Sequence, residues 1–214
     1  MRVVVVAKTK MKGGVCVGGI VESTGQPVRL IPKGAACNPT DTGFDIGEIW
    51  DLDISPRAHT AAPHIEDHDI VRPGSLVSEI EDLDGWLREN IELWVGDRTA
   101  LFDGTLHFRD NGTAFVPESG PIPDCSTGFW ILPNKLIYDP FVKSSGEEIP
   151  YYRNRFARAL PVKVKYVGLL PVSQLPKVLP PGTLLRLSLA HIWSGAPREE
   201  DRDKYFLQLS GWYY

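Results

Sequence analysis

Short runs of apolar or alternating residues recur along the chain and predict a mainly β protein. Residues 2–7 form an uninterrupted, largely β-branched run, which is typical of a strand buried on both faces. Residues 14–23 and 28–32 have the same character and are joined by turn residues, so the first three segments predict a meander of strands. Residues 47–55 alternate apolar and acidic positions, which predicts a fourth strand with one buried face.

The middle of the chain has a different period. Residues 62–74 are polar and bounded by prolines, and we expect a crossing loop there with a short strand at its end. Over residues 75–95 the apolar side chains recur three or four positions apart, with acidic residues opposite them. This spacing predicts an amphipathic helix, which Gly85 weakens without breaking.

The second half returns to strand patterns. Residues 105–109 and 113–117 flank an Asp-Asn-Gly sequence, which is a strong hairpin signal. Further strands are predicted at 128–133, 160–172, 184–193 and 204–214. The order of strands, one helix and more strands favours two small antiparallel barrels over a parallel α/β sheet. The first would comprise residues 1–95 with the connecting helix and the second residues 96–214, unless the C-terminal strand returns to the first.

Composition narrows the class of protein. The chain has 214 residues, of which 43% are apolar, so it can form a proper core. No apolar stretch reaches the roughly 18 residues of a membrane span, and the N-terminal run resembles a strand more than a signal peptide. The three cysteines form no Cys-x-x-Cys pair, which favours free thiols in a reducing environment and a cytoplasmic protein.

Charge is distributed unevenly along the chain. The net charge is −4, yet residues 1–40 carry six basic residues and one acid, residues 41–124 carry five against nineteen, and residues 125–198 carry ten against three. Two basic segments therefore flank an acidic one. Either they form a positive surface despite the negative total, or the segments pair with each other in the fold.

A search for catalytic and metal-binding patterns finds little. The glycines near the N-terminus lead into a strand instead of opening a helix, so they are not a phosphate-binding loop, and no nucleophile elbow is present. Cys16 could act as a nucleophile, but nothing places a histidine base beside it. His64 and His68 could share a metal only on a helix, and Pro63 argues against one. The sequence thus indicates no cofactor and no metal, and it favours a non-catalytic protein without excluding an enzyme.

Basic and aromatic residues are interleaved between residues 151 and 166. Cationic side chains neutralise phosphates, and aromatic faces stack on unpaired bases. The alternative is a core strand with lysines on its solvent face, which suits Lys163 and Lys165. We therefore place the candidate binding residues of this segment at Tyr152, Arg153, Arg155 and Arg158.

The order of these motifs resembles the bacterial dual OB-containing domain family. The resemblance lies in GGVCVGGIVESTGQPVRLIP, GEIWDLDI, GFWILPNKLIYD and LPVKVKYVG, and it extends over nearly the whole chain. It departs from the family pattern in the proline-rich stretch 169–182. The resemblance implies two oligonucleotide/oligosaccharide-binding (OB) barrels and a role in nucleic-acid binding.

In an OB barrel the loop between the first two strands contacts the ligand. The resemblance therefore implies that Lys8, Lys10 and Lys12 contact phosphates, while Gly13 and Gly14 allow a tight turn and a close approach. Arg29, on the third predicted strand, is a further candidate.

Three functions follow, in order of preference. The first is a non-catalytic protein that binds single-stranded DNA or RNA. The second is an adaptor whose acidic middle segment binds a basic protein. The third is an enzyme acting on nucleotides or nucleic acid through Cys16 or His64 and His68.

Overall fold

The protein is mainly β and divides into two compact units. A computed structural model describes residues 1–154 and 161–214. The first unit contains Met1–Glu92 with Tyr213, and the second contains Leu93–Trp212 with Tyr214.

The first unit is a closed five-stranded barrel. Its strands are β1 (Arg2–Met11), β2 (Gly14–Val21), β3 (Pro27–Pro32), β4 (Glu48–Pro56) and β5 (Asp67–Glu79). Their order around the barrel is β1-β2-β3-β5-β4, and β4 pairs with β1 to close it. All these pairs are antiparallel except β3 with β5.

β-Branched residues build this barrel because their stiff side chains fit a pleated, half-buried surface. Every second residue of the strands points inward, and full burial of such a side chain contributes about 1.5–3 kcal/mol. The resulting core consists of Val3, Val5, Val15, Val17, Val21, Val28, Leu30 and Leu52. The strands predicted at 2–7, 14–23, 28–32 and 47–55 are confirmed.

The helix predicted over residues 75–95 is wrong for most of its length. Residues 75–79 belong to β5, and the α-helix α1 spans only Leu83–Asn90. Leu76 is exposed instead of facing a core, because the hydrogen-bonded ladder with β4 determines its orientation. The helix begins where Asp82 accepts a hydrogen bond from the Gly85 amide at 2.8 Å. A Cβ on Gly85 would lie 2.4 Å from that carboxylate, so the glycine permits the cap.

The second unit has more and shorter strands. They are β6 (His107–Phe108), β7 (Ala114–Pro117), β8 (Thr127–Ile131), β9 (Leu136–Tyr138), β10 (Phe141–Val142), β11 (Glu148–Ile149), β12 (Tyr151–Arg153), β13 (Lys163–Tyr166), β14 (Val178–Leu179), β15 (Leu184–Leu189) and β16 (Lys204–Tyr213). Three 3₁₀ segments accompany them: Arg98–Gly104, Val172–Gln174 and Glu199–Asp201.

The second unit repeats the strand order of the first. β9 pairs with β12, then β13, β16, β15 and β8 follow, and β13 runs parallel to β16. Only residues 132–135 separate β8 from β9, so these two strands correspond to the two halves of one bent first strand. The molecule therefore contains two OB-like barrels, as the sequence predicts.

The predicted hairpin is also present. β6 pairs with β7, and the Gly112 amide donates to Arg109 O in the turn between them. β7 continues the pairing to β16. The strand predicted at 160–172 is shorter than expected, and β9 to β12 and β14 have no counterpart in the sequence prediction, because strands of two or three residues show no detectable alternation.

Candidate nucleic-acid interface

The loop predicted at residues 8–14 is mostly strand: Lys8 and Lys10 lie on β1, paired with Val17 and Val15 of β2, and only Lys12 and Gly13 form the connecting turn. Lys10 and Lys12 are exposed, and no carboxylate of the described residues lies within 4 Å of their ammonium groups. The Lys8 ammonium is 2.8 Å from Asp45 Oδ1, and its side chain is largely buried. Lys8 is thus partly neutralised, whereas the other two remain available to an anion.

Gly13 in the turn and Gly14 at the start of β2 both have a backbone role. Gly13 has φ of +89°, which an L side chain rarely adopts, and nothing would contact a Cβ there. A Cβ on Gly14 would lie 2.1 Å from Asn38 O, where Val15 and Asn38 exchange backbone hydrogen bonds. The absence of a side chain at Gly14 therefore accommodates a neighbouring chain segment of the same unit.

Arg29 is held inside an ion pair on the outer side of β3. Its Nε donates to Asp67 Oδ1 at 2.6 Å, and Asp67 is buried. Burial alone would lower the pKa of Arg29, but Asp67 and the nearby Cys16 raise it. A guanidinium so engaged has little capacity left for a phosphate.

The candidates on β12 differ in orientation. Tyr152 is fully buried, and its hydroxyl donates to Pro176 O at 2.8 Å, so its ring cannot stack on a base. Burial raises the pKa of that hydroxyl. Arg153 faces the other side, where its Nε lies 2.8 Å from Asp139 Oδ2. Arg155 and Arg158 lie outside the described residues.

The register of β12 and β13 places a different set on the outer surface. Tyr151 is opposite Lys165, and Arg153 is opposite Lys163, while Tyr152 and Val164 point into the core. The Lys163 ammonium lies 4.6 Å from the centre of the Tyr151 ring, a cation–π distance. Burial raises the pKa of the Tyr151 hydroxyl.

This outer surface forms one wall of a cleft of about 630 Å³ in the second unit. We call it the basic cleft. The other walls are the β6–β7 hairpin, β16 and the loop of residues 190–203. Its cationic residues are Arg109, Lys163, Lys165, Arg198 and Lys204. Its aromatic residues are Phe141, Tyr151, His191, Trp193 and Phe206.

The cations of the basic cleft are unequally neutralised. Arg109 pairs with Asp201, and the Lys204 ammonium lies 3.1 Å from Asp203 Oδ1. Lys163 and Lys165 have no carboxylate within 4 Å in the described part of the chain. Trp193 and Phe141 expose more than half of their surface at the rim. The cleft therefore offers both free positive charge and accessible aromatic faces.

Most residues of the basic cleft could not be predicted from the sequence. Alternation along 151–166 could have indicated Tyr151 in place of Tyr152, because the apolar Val162 and Val164 mark the buried phase. Nothing in the sequence indicates that Arg109 and Trp193 lie close together, since they are far apart along the chain. In the fold β7 pairs with β16, and the Ala190 amide, near Trp193, donates to Phe206 O of β16.

The remaining chemical candidates do not assemble a site. His64 follows Pro63 in a loop and His68 lies on β5, so the helix that would align the two rings is absent. Within residues 1–154 and 161–214, no three His, Cys, Asp or Glu side chains are grouped so as to hold a metal ion. No helix in this part of the chain has the length and apolarity needed to span a membrane.

Comparison with solved structures finds distant similarities, two of which are described here. One is to a structure described as a murine DNA-binding protein bound with double-stranded DNA, at 10% identity, covering 98% of this chain and 91% of that chain with a TM-score of 0.32. The other is to the p204 HINb domain, at 16% identity, covering 98% and 95% with a TM-score of 0.35. Similarities this low do not extend to function.

Among functionally curated proteins the chain has no match. Its sequence does match the family model described as "Dual OB-containing domain" over residues 1–212, which is nearly its full length and spans both barrels. The chain therefore belongs to the dual OB-containing domain family.

Proposed function

We propose that the protein binds single-stranded nucleic acid, without chemistry of its own, in the basic cleft of the second barrel. The observation that supports this most directly is that two kinds of group line the same cleft. Lys163 and Lys165 have no carboxylate partner among the described residues, and the rings of Trp193 and Phe141 are exposed. Free cations bind backbone phosphates, and accessible rings bind bases.

The aromatic rim favours single strands over duplexes. Stacking contributes about 1–3 kcal/mol per base, but only when the face of the base is exposed. In a duplex both faces of each base are covered by neighbouring base pairs, so the rings of the cleft could contact only the ends. The lysines would still attract a duplex, but more weakly and without stacking.

Binding should be electrostatic in large part and therefore sensitive to salt. For single strands the logarithm of affinity falls with that of salt concentration with a slope of about −0.7 for each neutralised phosphate. If the cleft neutralises about four phosphates, an increase from about 50 to 200 mM salt lowers the affinity by about 50-fold. Fluorescence anisotropy with a labelled mixed-sequence DNA or RNA strand measures this directly.

The decisive variant is Lys163→Ala/Lys165→Ala in the full chain. Loss of two phosphate contacts should reduce the steepness of the salt slope by about 1.4. Lys33→Ala/Lys177→Ala removes the same charge from positions outside the cleft and serves as the control. An equal loss of affinity in both double variants would contradict the proposed site. Equal affinity for a duplex and a single strand would contradict the proposed preference.

A further inference from the structure

A short acidic turn lies against the wall of the basic cleft. The 3₁₀ segment Glu199–Asp201 places the Asp201 carboxylate in an ion pair with Arg109. Glu200 Oε1 lies 3.7 Å from the same guanidinium group and 3.9 Å from Arg198. Two carboxylates of one turn thus converge on Arg109.

The side chains around Arg109 orient its guanidinium group for contact with an anion. It lies on the β6–β7 hairpin, and its guanidinium carbon is 5.6 Å from the ring centres of both Phe115 and Phe206. Aromatic contact on the guanidinium leaves its N–H edge directed at an acceptor, and this planar edge matches carboxylate and phosphate alike. Asp201 therefore stands in a place that suits a phosphate.

The turn is held by hydrogen bonds at both ends of its loop and by bonds around Asp201. The Glu118 amide donates to Asp203 O at 2.8 Å on one side, and the Ala196 amide donates to Trp193 O at 3.0 Å on the other. The turn itself has no side-chain cap. Local opening of residues 199–201 breaks two backbone hydrogen bonds of 3.1 Å, from the Asp201 amide to Arg198 O and from the Arg202 amide to Glu199 O. It leaves the bonds at the ends of the loop in place, so Arg109 can be released without detaching the loop.

Resting on the function proposed above, we infer that Arg109 is a phosphate-binding subsite of the basic cleft and that Asp201 occupies it until nucleic acid displaces the turn. The carboxylate then competes with phosphate for Arg109. It lowers the affinity for nucleic acid by the free energy of the Arg109–Asp201 pair, and weakly binding anions do not displace it. Nucleic acid regains part of this cost through its own phosphate contact.

A double-mutant cycle in the full chain tests this, with anisotropy of the same labelled single strand as the readout. Asp201→Asn should raise affinity by about three- to tenfold, because a partly buried ion pair no longer competes. Arg109→Gln should lower affinity and reduce the steepness of the salt slope by about 0.7. In the Arg109→Gln background, Asp201→Asn should have no effect, because there is no cation left to release.

Glu199→Gln is the matched control. It removes the same charge from the same turn, and Glu199 forms no ion pair with Arg109 in the described structure. A gain from Asp201→Asn that equals the gain from Glu199→Gln, or that persists without Arg109, would overturn the inference and show a general charge effect. Thermal unfolding verifies that each variant folds. If Arg109→Gln does not fold, Arg109→Met replaces it, because it also removes the charge and keeps a long side chain beside Phe115 and Phe206.

The result also separates the two proposals. If the wild-type chain and every variant fail to bind at low salt, the proposed function fails and the subsite with it. If the wild type binds and depends on Lys163 and Lys165, but the cycle shows no coupling, only the subsite is wrong. Faster hydrogen–deuterium exchange at residues 198–203 on binding is the further expected result, and unchanged exchange there would contradict displacement of the turn.

Discussion

At the scale of single residues, neighbouring tyrosines have opposite roles. Tyr152 fills the core of the second barrel, while Tyr151 lies on its outer surface beside Lys163. One step along a strand reverses the face of the sheet, so one tyrosine packs in the core while the next lies on the outer surface.

We predict that Tyr152→Phe lowers the free energy of unfolding by about 1 kcal/mol and leaves oligonucleotide affinity unchanged. The variant keeps the ring and loses only the partly buried hydrogen bond to Pro176 O. Chemical denaturation and anisotropy measure the two quantities. Tyr151→Ala should give the reverse result, and a loss of affinity in Tyr152→Phe would place the ligand elsewhere.

At the scale of elements, an aspartate cap marks the start of α1 and of one 3₁₀ segment. Asp97 precedes the 3₁₀ segment Arg98–Gly104, and its Oδ1 accepts hydrogen bonds from the Thr99 hydroxyl at 2.6 Å and the Thr99 amide at 2.8 Å. These bonds, the hydroxyl first, lower the pKa of Asp97. The segment supports Leu101 and Phe102, which are fully buried in the core.

We therefore predict that Asp97→Ala lowers the melting temperature at neutral pH and that the difference from wild type shrinks in acid. Because the folded-state pKa lies below the unfolded value of about 3.9, the stabilisation is complete above the unfolded pKa and is lost as the pH falls through the folded one. Thermal scans between about pH 7 and pH 2 measure this. Asp124→Ala, at an exposed carboxylate, should show no comparable gap at pH 7, and a gap for Asp97→Ala that does not change with pH would contradict the assignment.

At the scale of the whole molecule, charge separates between the two units. The first holds nine Lys and Arg against fifteen Asp and Glu, a net −6, and the second holds fourteen against twelve, a net +2. The long-range field of the second unit thus favours an anionic ligand more than that of the first. Lys10 and Lys12 are among the exposed cations of the acidic unit.

This asymmetry predicts that Lys10→Ala/Lys12→Ala weakens binding less than Lys163→Ala/Lys165→Ala. Both double variants remove two exposed or partly exposed lysines, but only the second pair is combined with stacking surfaces in a cleft. Anisotropy at one fixed salt concentration compares them. If the first pair proves the more important, the β1–β2 loop of the first barrel is the main binding element.

Much of the architecture is readable from the local pattern, and the errors have a common cause. Strands of five or more residues, such as β1, β2 and β15, carry their own alternation or β-branched runs. Residues 75–79 show helical spacing yet form a strand, because pairing with β4 supplies hydrogen bonds that an isolated helix would have to provide alone.

The site was only partly predictable. Charge and aromatic content indicate residues 151–166 as a candidate binding segment. They do not tell which of Tyr151 and Tyr152 faces outward, because that depends on the phase of the strand. The pairing of Arg29 with Asp67, and of Lys8 with Asp45, was also hidden, because each pair joins residues more than thirty positions apart.

The sequence alone therefore determined the class of fold, the family resemblance and the kinds of side chain available for binding, since these follow from local periodicity and composition. The tertiary structure alone decided which cations are free, which aromatic rings face solvent and that Arg109, Lys163 and Trp193 share one cleft. The physical reason is that neutralisation and burial depend on contacts between distant strands, and the pattern of any one segment does not encode its partners.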